Sequence, residues 1–258
     1  MDLGIKNKKV LIIGGSTGIG AQAALSLSKE KAKVTIVARG EKNLRSVCKS
    51  MGGKKQGHNY LVVDLLNDFE KEEFLTYLKV KKNRFDIIIH SMGGSLGLKS
   101  PLGNLNDWYK VWLFNIGIAI EINSVVVPYL VKKKWGRIVH ISSASSTKGE
   151  PTFASGGSLP YASAKAYLNS YVQGLSKEFI SKNVVISAVM PGPVHVKGKY
   201  WDILKNKNPS KFNNYIKKHL PMQRIGKITE VAPFILLLCS ENANLAGGSL
   251  IQLDGGRI

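Results

Sequence analysis

Short apolar runs alternate with helix-length amphipathic stretches along the whole chain, and this alternation constrains the fold more than any other feature. The runs are rich in Val and Ile and lack the polar–apolar alternation of a half-exposed strand. They therefore predict strands buried on both faces, as in a parallel sheet covered by helices. The predicted strands are 9–13, 33–38, 59–63, 85–90, 137–142, 184–190 and 249–253, and the predicted helices are 18–30, 41–51, 67–80, 104–113, 115–134, 160–182 and 229–240.

We predict one α/β domain over residues 1–258, a Rossmann-type doubly wound domain whose seven-stranded parallel sheet carries helices on both faces. No internal repeat and no linker divides the pattern. Residues 193–226, before the last strand, have no clear periodicity and are expected to be irregular. Long insertions near the carboxyl end of a strand are usually functional, so we predict a substrate-binding lid there.

Lysine dominates the charge of the chain: 31 of the 37 basic residues are Lys, and the formal net charge is +20. A solvated lysine-rich surface is the simplest interpretation, and an anionic substrate or an acidic carrier protein is the main alternative. No zinc finger, helix-turn-helix or RNA-binding aromatic signature accompanies the charge, so no nucleic-acid partner is expected.

The apolar runs also bear on location. None approaches the roughly 20 residues of a membrane span, the amino-terminal residues do not resemble a secretory signal, and the two cysteines have no metal-ligand spacing. We therefore expect a cytoplasmic protein with neither a membrane partner nor a metal.

A glycine-rich run, GGSTGIG at 14–20, joins the first strand to the first helix. Such a turn lets backbone amides approach a diphosphate at a helix N-terminus, and its position predicts a dinucleotide site. No Gly-Lys-Ser/Thr follows, which disfavours a P-loop. The second strand ends at Arg39, where a cation suits the 2′-phosphate of NADP(H), although a surface arginine is the alternative. The third strand ends at Asp64, where a carboxylate can meet the adenine amino group.

A Tyr-x-x-x-Lys pattern places Tyr161 and Lys165 one turn apart on a helix. The pattern alone is weak, because it also occurs at 77/81 and 129/133. Only the third copy follows a strand that ends in hydroxyls, Ser142 and Ser143, and precedes a strand that closes with Pro191.

In these features the chain resembles the short-chain dehydrogenase/reductase family, and within it the 3-oxoacyl-(acyl-carrier-protein) reductases, over nearly its whole length. The spacing of 28 residues between Asn115 and Ser143 is the one expected of those reductases. The matching features, in the family's order, are GGSTGIG, Asp64, Trp108 with Asn115, Ser142-Ser143, Tyr161 with Lys165, PGPV at 191–194 and SLIQLDGG at 249–256.

The resemblance implies an NADP(H)-dependent enzyme that interconverts a ketone and a secondary alcohol by hydride transfer. It assigns Tyr161 as the general acid in reduction, with Lys165 lowering its pKa and reaching the nicotinamide ribose. Ser143, with Ser142 as the alternative, would bind the carbonyl oxygen, and Asn115 would help hold a water that links Lys165 to solvent. The implied cofactor-binding residues are Gly14, Ser16, Thr17, Gly18, Ile19, Gly20, Arg39, Asp64, Leu65, Ser91, Met92, Gly93, Tyr161, Lys165, Pro191, Gly192 and Val194.

The chain departs from the family pattern at several places. His90-Ser91-Met92-Gly93 stands where Asn-Asn-Ala-Gly is usual, and we interpret His90 as a buried structural residue. Ser143 and Tyr161 lie 18 positions apart, further than in the carrier-protein reductases, so the 144–160 loop either borders the substrate pocket or is a surface excursion. Val196 stands where relatives often have a threonine that binds the nicotinamide carboxamide. The resemblance therefore leaves the Val194 backbone to bind that group. His195 is interpreted as a solvent-facing lid residue, with substrate contact as the alternative.

Three functions remain open at this point. The first is reduction of a 3-oxoacyl thioester, because Lys134 and Lys182 match positions where those reductases carry basic residues for an acidic carrier. The second is oxidoreduction of a polar or anionic sugar-type metabolite, favoured by the longer loop and the Lys- and aromatic-rich lid. The third is a non-catalytic NADP(H)-binding regulator. The resemblance also implies a homodimer or homotetramer, paired through the helices that begin near 104 and 160.

Overall fold

A computed structural model describes residues 1–98, 100–147 and 158–257. The strands are β1 (Lys9–Ile13), β2 (Lys33–Ala38), β3 (Asn59–Val62), β4 (Ile87–His90), β5 (Gly136–Ile141), β6 (Val184–Pro191), β7 (Val194–His195), β8 (Gly226–Lys227) and β9 (Leu250–Leu253). The helices are α1 (Gly18–Lys29), α2 (Glu41–Ser50), α3 (Asp68–Lys79), α4 (Leu105–Trp112), α5 (Ile118–Lys133), α6 (Leu159–Phe179), α7 (Tyr200–Lys207), α8 (Pro209–His219) and α9 (Ile228–Cys239). A π-helical turn, Leu113–Gly117, joins α4 to α5.

Seven strands form one parallel sheet in the order β3-β2-β1-β4-β5-β6-β9, which confirms the predicted doubly wound fold. Neighbouring side chains of a strand point to opposite faces, so Ile12 packs into one core and Leu11 and Ile13 into the other. Helices α1, α2 and α9 cover the first face, and α3, α5 and α6 cover the second. The strand order reverses between β1 and β4, and a ligand crevice is expected at the carboxyl ends there.

The helical run from α4 through α5 differs from the expectation. It continues for 29 residues and is long and apolar enough, by length and composition, to cross a membrane. The sequence-based statement that no apolar run approaches this length was therefore wrong. Because 56% of the most apolar window is buried inside the protein, core packing accounts for this composition. The π-helical turn within the run replaces the predicted break between two helices.

The lid also differs from the expectation of an irregular segment. Residues 193–226 contain α7 and α8, and the parallel pair β7–β8 closes the two ends of the segment through Val194 opposite Gly226. Helix α8 begins where Asn208 accepts a hydrogen bond from the Lys211 amide, with a proline in its first turn. These capping signals were present in the sequence. The apolar residues of α8 are few and lie among many lysines and asparagines, so they did not indicate a helix.

Helices α4 and α6 share a surface on which aromatic side chains remain exposed. Tyr109 stacks on Trp112, whose ring meets Tyr167 edge to face, and both tyrosines are more than half exposed. These are the two helices predicted to pair between subunits, and the pairing stays a prediction.

Arg137, at the start of β5, is fully buried and fixes the amino-terminal edge of the sheet. Its guanidinium packs over the Trp135 ring and donates hydrogen bonds to the Ser240 carbonyl at 2.9 Å and to Asn244 Oδ1 at 2.6 Å. Strand β5 and the segment that follows α9 are therefore tied together by one side chain.

Replacing Arg137 with Leu should lower the free energy of unfolding by about 3 kcal/mol, because several buried acceptors lose their donor. Thermal and denaturant unfolding would measure the change. Arg45→Leu is the matched control, because Arg45 is exposed and pairs with Glu41 at the surface, so its loss should leave the Tm nearly unchanged. Equal unfolding curves for Arg137→Leu and the parent protein would contradict the prediction.

Candidate active site

The four predicted catalytic residues meet at the carboxyl edge of the sheet. Ser143 follows β5, Tyr161 and Lys165 lie in the first turns of α6, and Asn115 lies in the π-helical turn. The Ser143 hydroxyl lies within hydrogen-bonding reach of the Tyr161 hydroxyl, and Lys165 Nζ lies 5.8 Å from the centre of the Tyr161 ring. The structure thus brings together residues that the sequence separates by up to 50 positions.

The start of α6 sets the position of Tyr161. Ser158 is the N-cap, and its buried side chain accepts a hydrogen bond from the Tyr161 amide. The proline at 160 suits the first turn, where its missing N–H costs nothing. Tyr161 therefore lies in the first turn of α6. Lys165 follows one turn later along the helix, where its side chain is buried.

Two serines end β5, and they face different neighbours. Ser142 Oγ donates to Asn169 Oδ1 at 2.6 Å, and Asn169 Nδ2 donates to Ser146 Oγ at 2.7 Å. Ser142 is therefore used to join the strand end to α6. Ser143 is the hydroxyl that meets Tyr161, which supports the choice of Ser143 over Ser142 as the group for the carbonyl oxygen.

Burial dominates the electrostatics of the Tyr–Lys pair. Burial raises the pKa of Tyr161, and the hydrogen bond from Ser143 opposes that shift. Burial lowers the pKa of Lys165 to about 7, although its Nζ donates to the Ile141 carbonyl at 2.7 Å. Lys165 can therefore gain or lose a proton near neutral pH, which a free Lys cannot do, whereas Tyr161 keeps its proton to a higher pH than a free Tyr.

The side-chain amide of Asn115 is hydrogen-bonded to the backbone of the neighbouring segments. Its Nδ2 donates to the Val111 and Gly94 carbonyls, both at 2.8 Å, and its Oδ1 accepts from the Gly94 amide at 3.0 Å. The π-helical turn around it is a local irregularity of the kind often found at functional sites. The predicted water-holding role stays a prediction, with the side chain serving to position the segment after β4.

That segment allows no side chain at Gly93. A Cβ there would lie 2.6 Å from Asn115 Oδ1 and 2.9 Å from Lys165 Nζ. Gly93 was assigned to the cofactor site from the sequence, and it also lies directly against two of the catalytic residues. The cofactor site and the catalytic residues therefore share this position.

The glycine turn after β1 packs against the same segment. Gly14 has a φ of +82°, and a Cβ there would lie 2.9 Å from the Met92 amide nitrogen. A Cβ on Gly20 would lie 2.4 Å from the Gly14 carbonyl oxygen and 2.9 Å from Ser91 Oγ. The predicted cofactor residues of both segments are therefore in close contact, and only glycine fits the turn.

Helix α1 begins at Gly18 and points its free N-terminal amides towards a cleft beneath the lid. Within the described chain, its N-cap residue Thr17 makes no side-chain capping bond, which leaves these amides available to an anion. The cleft is lined by Thr17, Gly18, His195, Val196, Lys197, Lys227, Ile228 and Thr229. Backbone amides and two lysines fit a diphosphate here.

Arg39 directly follows β2, at the carboxyl edge of the sheet. Its side chain is mostly exposed, and its guanidinium lies 3.7 Å from Asp64 Oδ2. Asp64 in turn accepts a hydrogen bond from the Leu66 amide, and Leu65 is buried beneath it. The two charged residues predicted for the adenosine end of the cofactor are therefore neighbours, with the cation on the solvent side.

The end of β6 holds the remaining predicted cofactor residues. Gly192 donates to the Leu253 carbonyl at 3.0 Å, and Val194 is buried in the β7–β8 pair. His195 Nε2 lies 2.9 Å from Asp202 Oδ1, so this imidazole is engaged within the lid. The geometry favours the interpretation of His195 as a lid residue over contact with substrate.

Sequence analysis missed Asn169, which ties β5 to α6. A signal was available, because Asn169 follows Lys165 by one helical turn and so lies on the same helix face. Of the longer loop predicted at 144–160, residues 148–157 lie outside the described residues, and its contact with substrate stays a prediction.

Comparisons with known proteins agree with this geometry. The family model for "Enoyl-(Acyl carrier protein) reductase" matches residues 14–257. The 3-oxoacyl-(acyl-carrier-protein) reductase FabG of Thermotoga maritima is 27% identical over 254 residues, covering 98% of this chain and 99% of that protein. FabG of Chlamydia trachomatis is also 27% identical, covering 97% of each chain.

A solved structure is similar over the whole chain. The L-sorbose reductase of Gluconobacter frateurii, complexed with NADPH and L-sorbose, has a TM-score of 0.87 at 25% identity, covering 100% of this chain and 98% of that one. With the family model matched across almost all residues, the chain belongs to the short-chain dehydrogenase/reductase family and is an NAD(P)-dependent oxidoreductase that acts on a ketone or alcohol carbon.

Proposed function

We propose that this protein reduces a 3-oxo group to a secondary alcohol in a thioester-type substrate, with Tyr161 as the proton donor. The observation that carries the catalytic assignment is the meeting of Ser143, Tyr161 and Lys165 at the carboxyl edge of the sheet. Full-length similarity to 3-oxoacyl-(acyl-carrier-protein) reductases supports the substrate class.

The cofactor is NADP(H), which supplies the hydride when bound. The glycine turn leaves no room for side chains where a diphosphate would approach, and α1 directs unbonded amides there. Arg39 would pair with the 2′-phosphate. Lys165 would reach the nicotinamide ribose hydroxyls, as the family resemblance implies, and the Val194 backbone would hold the carboxamide.

The catalytic residues would act on the carbonyl oxygen. The Ser143 hydroxyl would donate a hydrogen bond to that oxygen and orient it, and the Tyr161 hydroxyl would give up its proton to the same oxygen as the alcohol forms. The tyrosinate left behind is stabilised by the Ser143 hydroxyl and by the Lys165 ammonium nearby. Lys165 therefore has to be charged when the proton leaves Tyr161.

The lysines that suggested an acidic carrier lie at the opposite edge of the sheet. Lys134 precedes β5 and Lys182 precedes β6, and Asn183 Nδ2 donates to the Lys134 carbonyl at 3.1 Å. Both mark the amino-terminal edge, whereas Tyr161 marks the carboxyl edge. Within one subunit these lysines give no support to carrier docking at the active site, so the thioester proposal rests on the catalytic geometry and the relatives.

A second candidate substrate is a polar ketose. A ketose reductase shares the fold over the whole chain. Comparing kcat/KM for acetoacetyl-coenzyme A with that for L-sorbose, both with NADPH, separates the two candidates. A higher value for the ketose would replace the thioester proposal.

Tyr161→Phe should retain NADPH binding but lower kcat for ketone reduction by about 100-fold or more, because the proton donor is lost while the ring remains. Stopped-flow absorbance of NADPH would measure the reduction, and NADPH fluorescence would measure binding. The control is Tyr167→Phe, which removes an exposed hydroxyl from the same helix. Unchanged turnover in Tyr161→Phe would contradict the role of Tyr161 as proton donor, and no ketone turnover in the parent protein would favour the non-catalytic regulator.

Arg39→Asp should raise the Kd for NADPH by about tenfold or more and change the Kd for NADH much less, because the carboxylate repels the 2′-phosphate that only NADPH carries. Fluorescence titration of both nucleotides measures the ratio. Arg45→Asp makes the same charge change on the exposed side of α2 and should leave the ratio unaltered. Equal affinities of the parent protein for the two nucleotides would contradict the role of Arg39.

A further inference from the structure

Two histidines are buried side by side directly behind the catalytic lysine. His90 ends β4 and His140 lies opposite it in β5, and their rings stack at 4.5 Å between centroids with an interplanar angle of 13°. Both are inaccessible or nearly so to solvent. Stacked imidazoles in a sheet interior are costly to bury unless their nitrogens are paired, so their partners matter.

His90 has such a partner and His140 does not. His90 Nε2 lies 2.9 Å from Asn123 Oδ1, and Asn123 Nδ2 donates to the Tyr171 hydroxyl at 3.1 Å. Within the described parts of the chain, neither ring nitrogen of His140 has a hydrogen-bond partner. Leaving both unpaired is costly, because a buried polar atom without a partner loses its hydration and gains nothing in return.

A small cavity lies beside the His140 ring. It is bounded on its polar side by His90, His140, Asn115 and Lys165. The space open to the centre of a water molecule is about 10 Å³, roughly the least that holds one water. The cavity therefore lies between an unpaired imidazole and the catalytic ammonium.

The charge around this cavity comes from one group. Strand β1 contributes Ile13, the segment after β4 contributes Met92, the π-helical turn contributes Phe114 and Asn115, and α5 contributes Ile118 and Ala119. Helix α6 contributes Lys165 and Leu168, with the Tyr171 ring edge-on to His140 at 6.2 Å. Among these described neighbours, only Lys165 can carry a charge near neutral pH.

We propose that the cavity holds one water that accepts a hydrogen bond from Lys165 and donates one to His140, and that His140 thereby positions this water and keeps Lys165 protonated during catalysis. The proposal rests on the catalytic role proposed for Lys165. It assigns His140 as a positioning residue, with His90 stacked behind it and held by Asn123.

The electrostatics are consistent with this arrangement. Burial, together with the Lys165 ammonium, keeps the pKa of both histidines below the usual range, that of His90 at about 4. A neutral imidazole has one acceptor nitrogen and one donor nitrogen, so His140 can accept from the water. Burial alone lowers the pKa of Lys165, and a water that the imidazole orients would oppose this shift by solvating the ammonium.

The first experiment reads the histidines directly and needs no activity. The chain has five histidines, so nitrogen-15 spectra of the histidine rings, with each signal assigned by substitution, can be followed from about pH 6 to about pH 10. His140 should show an inflection that reports the titration of Lys165 and that disappears in Lys165→Met. His58, a buried histidine whose Nδ1 accepts from the Val34 amide, should show no inflection that Lys165→Met removes.

The second experiment tests the consequence for catalysis through the pH profile of kcat for ketone reduction. His140→Leu removes the partner of the water, so Lys165 should lose its proton at lower pH and the alkaline limb of the profile should move to lower pH. His140→Asn keeps a polar group at this position and should restore the limb towards that of the parent. His58→Leu is the control and should leave the profile unchanged.

The outcomes are distinct. A missing His140 inflection, or one that persists in Lys165→Met, overturns the proposal even if His140→Leu does not fold. An unmoved alkaline limb in a folded His140→Leu, or an equal movement in His58→Leu, overturns it as well. If the parent protein reduces no ketone, the proposed function fails, and the nitrogen-15 spectra still decide whether His140 and Lys165 are coupled.

Discussion

The burial of the Lys165 ammonium is the constraint on which the rest of the site depends. A buried cation is costly unless neighbouring groups solvate it, and here, within the described chain, the Ile141 carbonyl accepts a hydrogen bond from it. That carbonyl is fixed because β5 lies near the middle of the parallel sheet. The position of β5 in the sheet therefore determines where the Lys165 ammonium finds a hydrogen-bond acceptor. Helix α6 places Tyr161 one turn before Lys165.

Close packing at glycine positions links the cofactor site to the catalytic residues. Gly20 contacts Gly14, Gly14 contacts the segment after β4, and Gly93 in that segment contacts Asn115 and Lys165. Each contact is close enough that a Cβ would force a displacement. A side chain introduced into the glycine turn would therefore press on the segment after β4, and Gly93 of that segment lies against the side chains of Asn115 and Lys165.

The sequence predicted the sheet well because its signal is local. Valine and isoleucine runs of strand length have few alternatives, and β1 and β2 have the predicted bounds. The lid could not be predicted as helical, because its few buried side chains, such as Phe212 and Tyr215, are scattered among lysines and asparagines. The catalytic residues were predicted from the family resemblance, whereas the pairing of Ser142 with Asn169 required coordinates.

His90 shows the limit of sequence reasoning most clearly. From the sequence it was interpreted as a buried structural histidine, and its burial and its hydrogen bond with Asn123 agree with that interpretation. Its functional context depends on His140, 50 positions further along the chain, which parallel pairing places directly opposite.

Parallel pairing brings such residues together only when register and strand order are both known, and strand order is a long-range property. Because β4 and β5 are adjacent beyond the point where the strand order reverses, two histidines with no local motif become neighbours of the catalytic lysine. Residues that tune an active site from behind are therefore harder to find in a sequence than the residues that face its substrate.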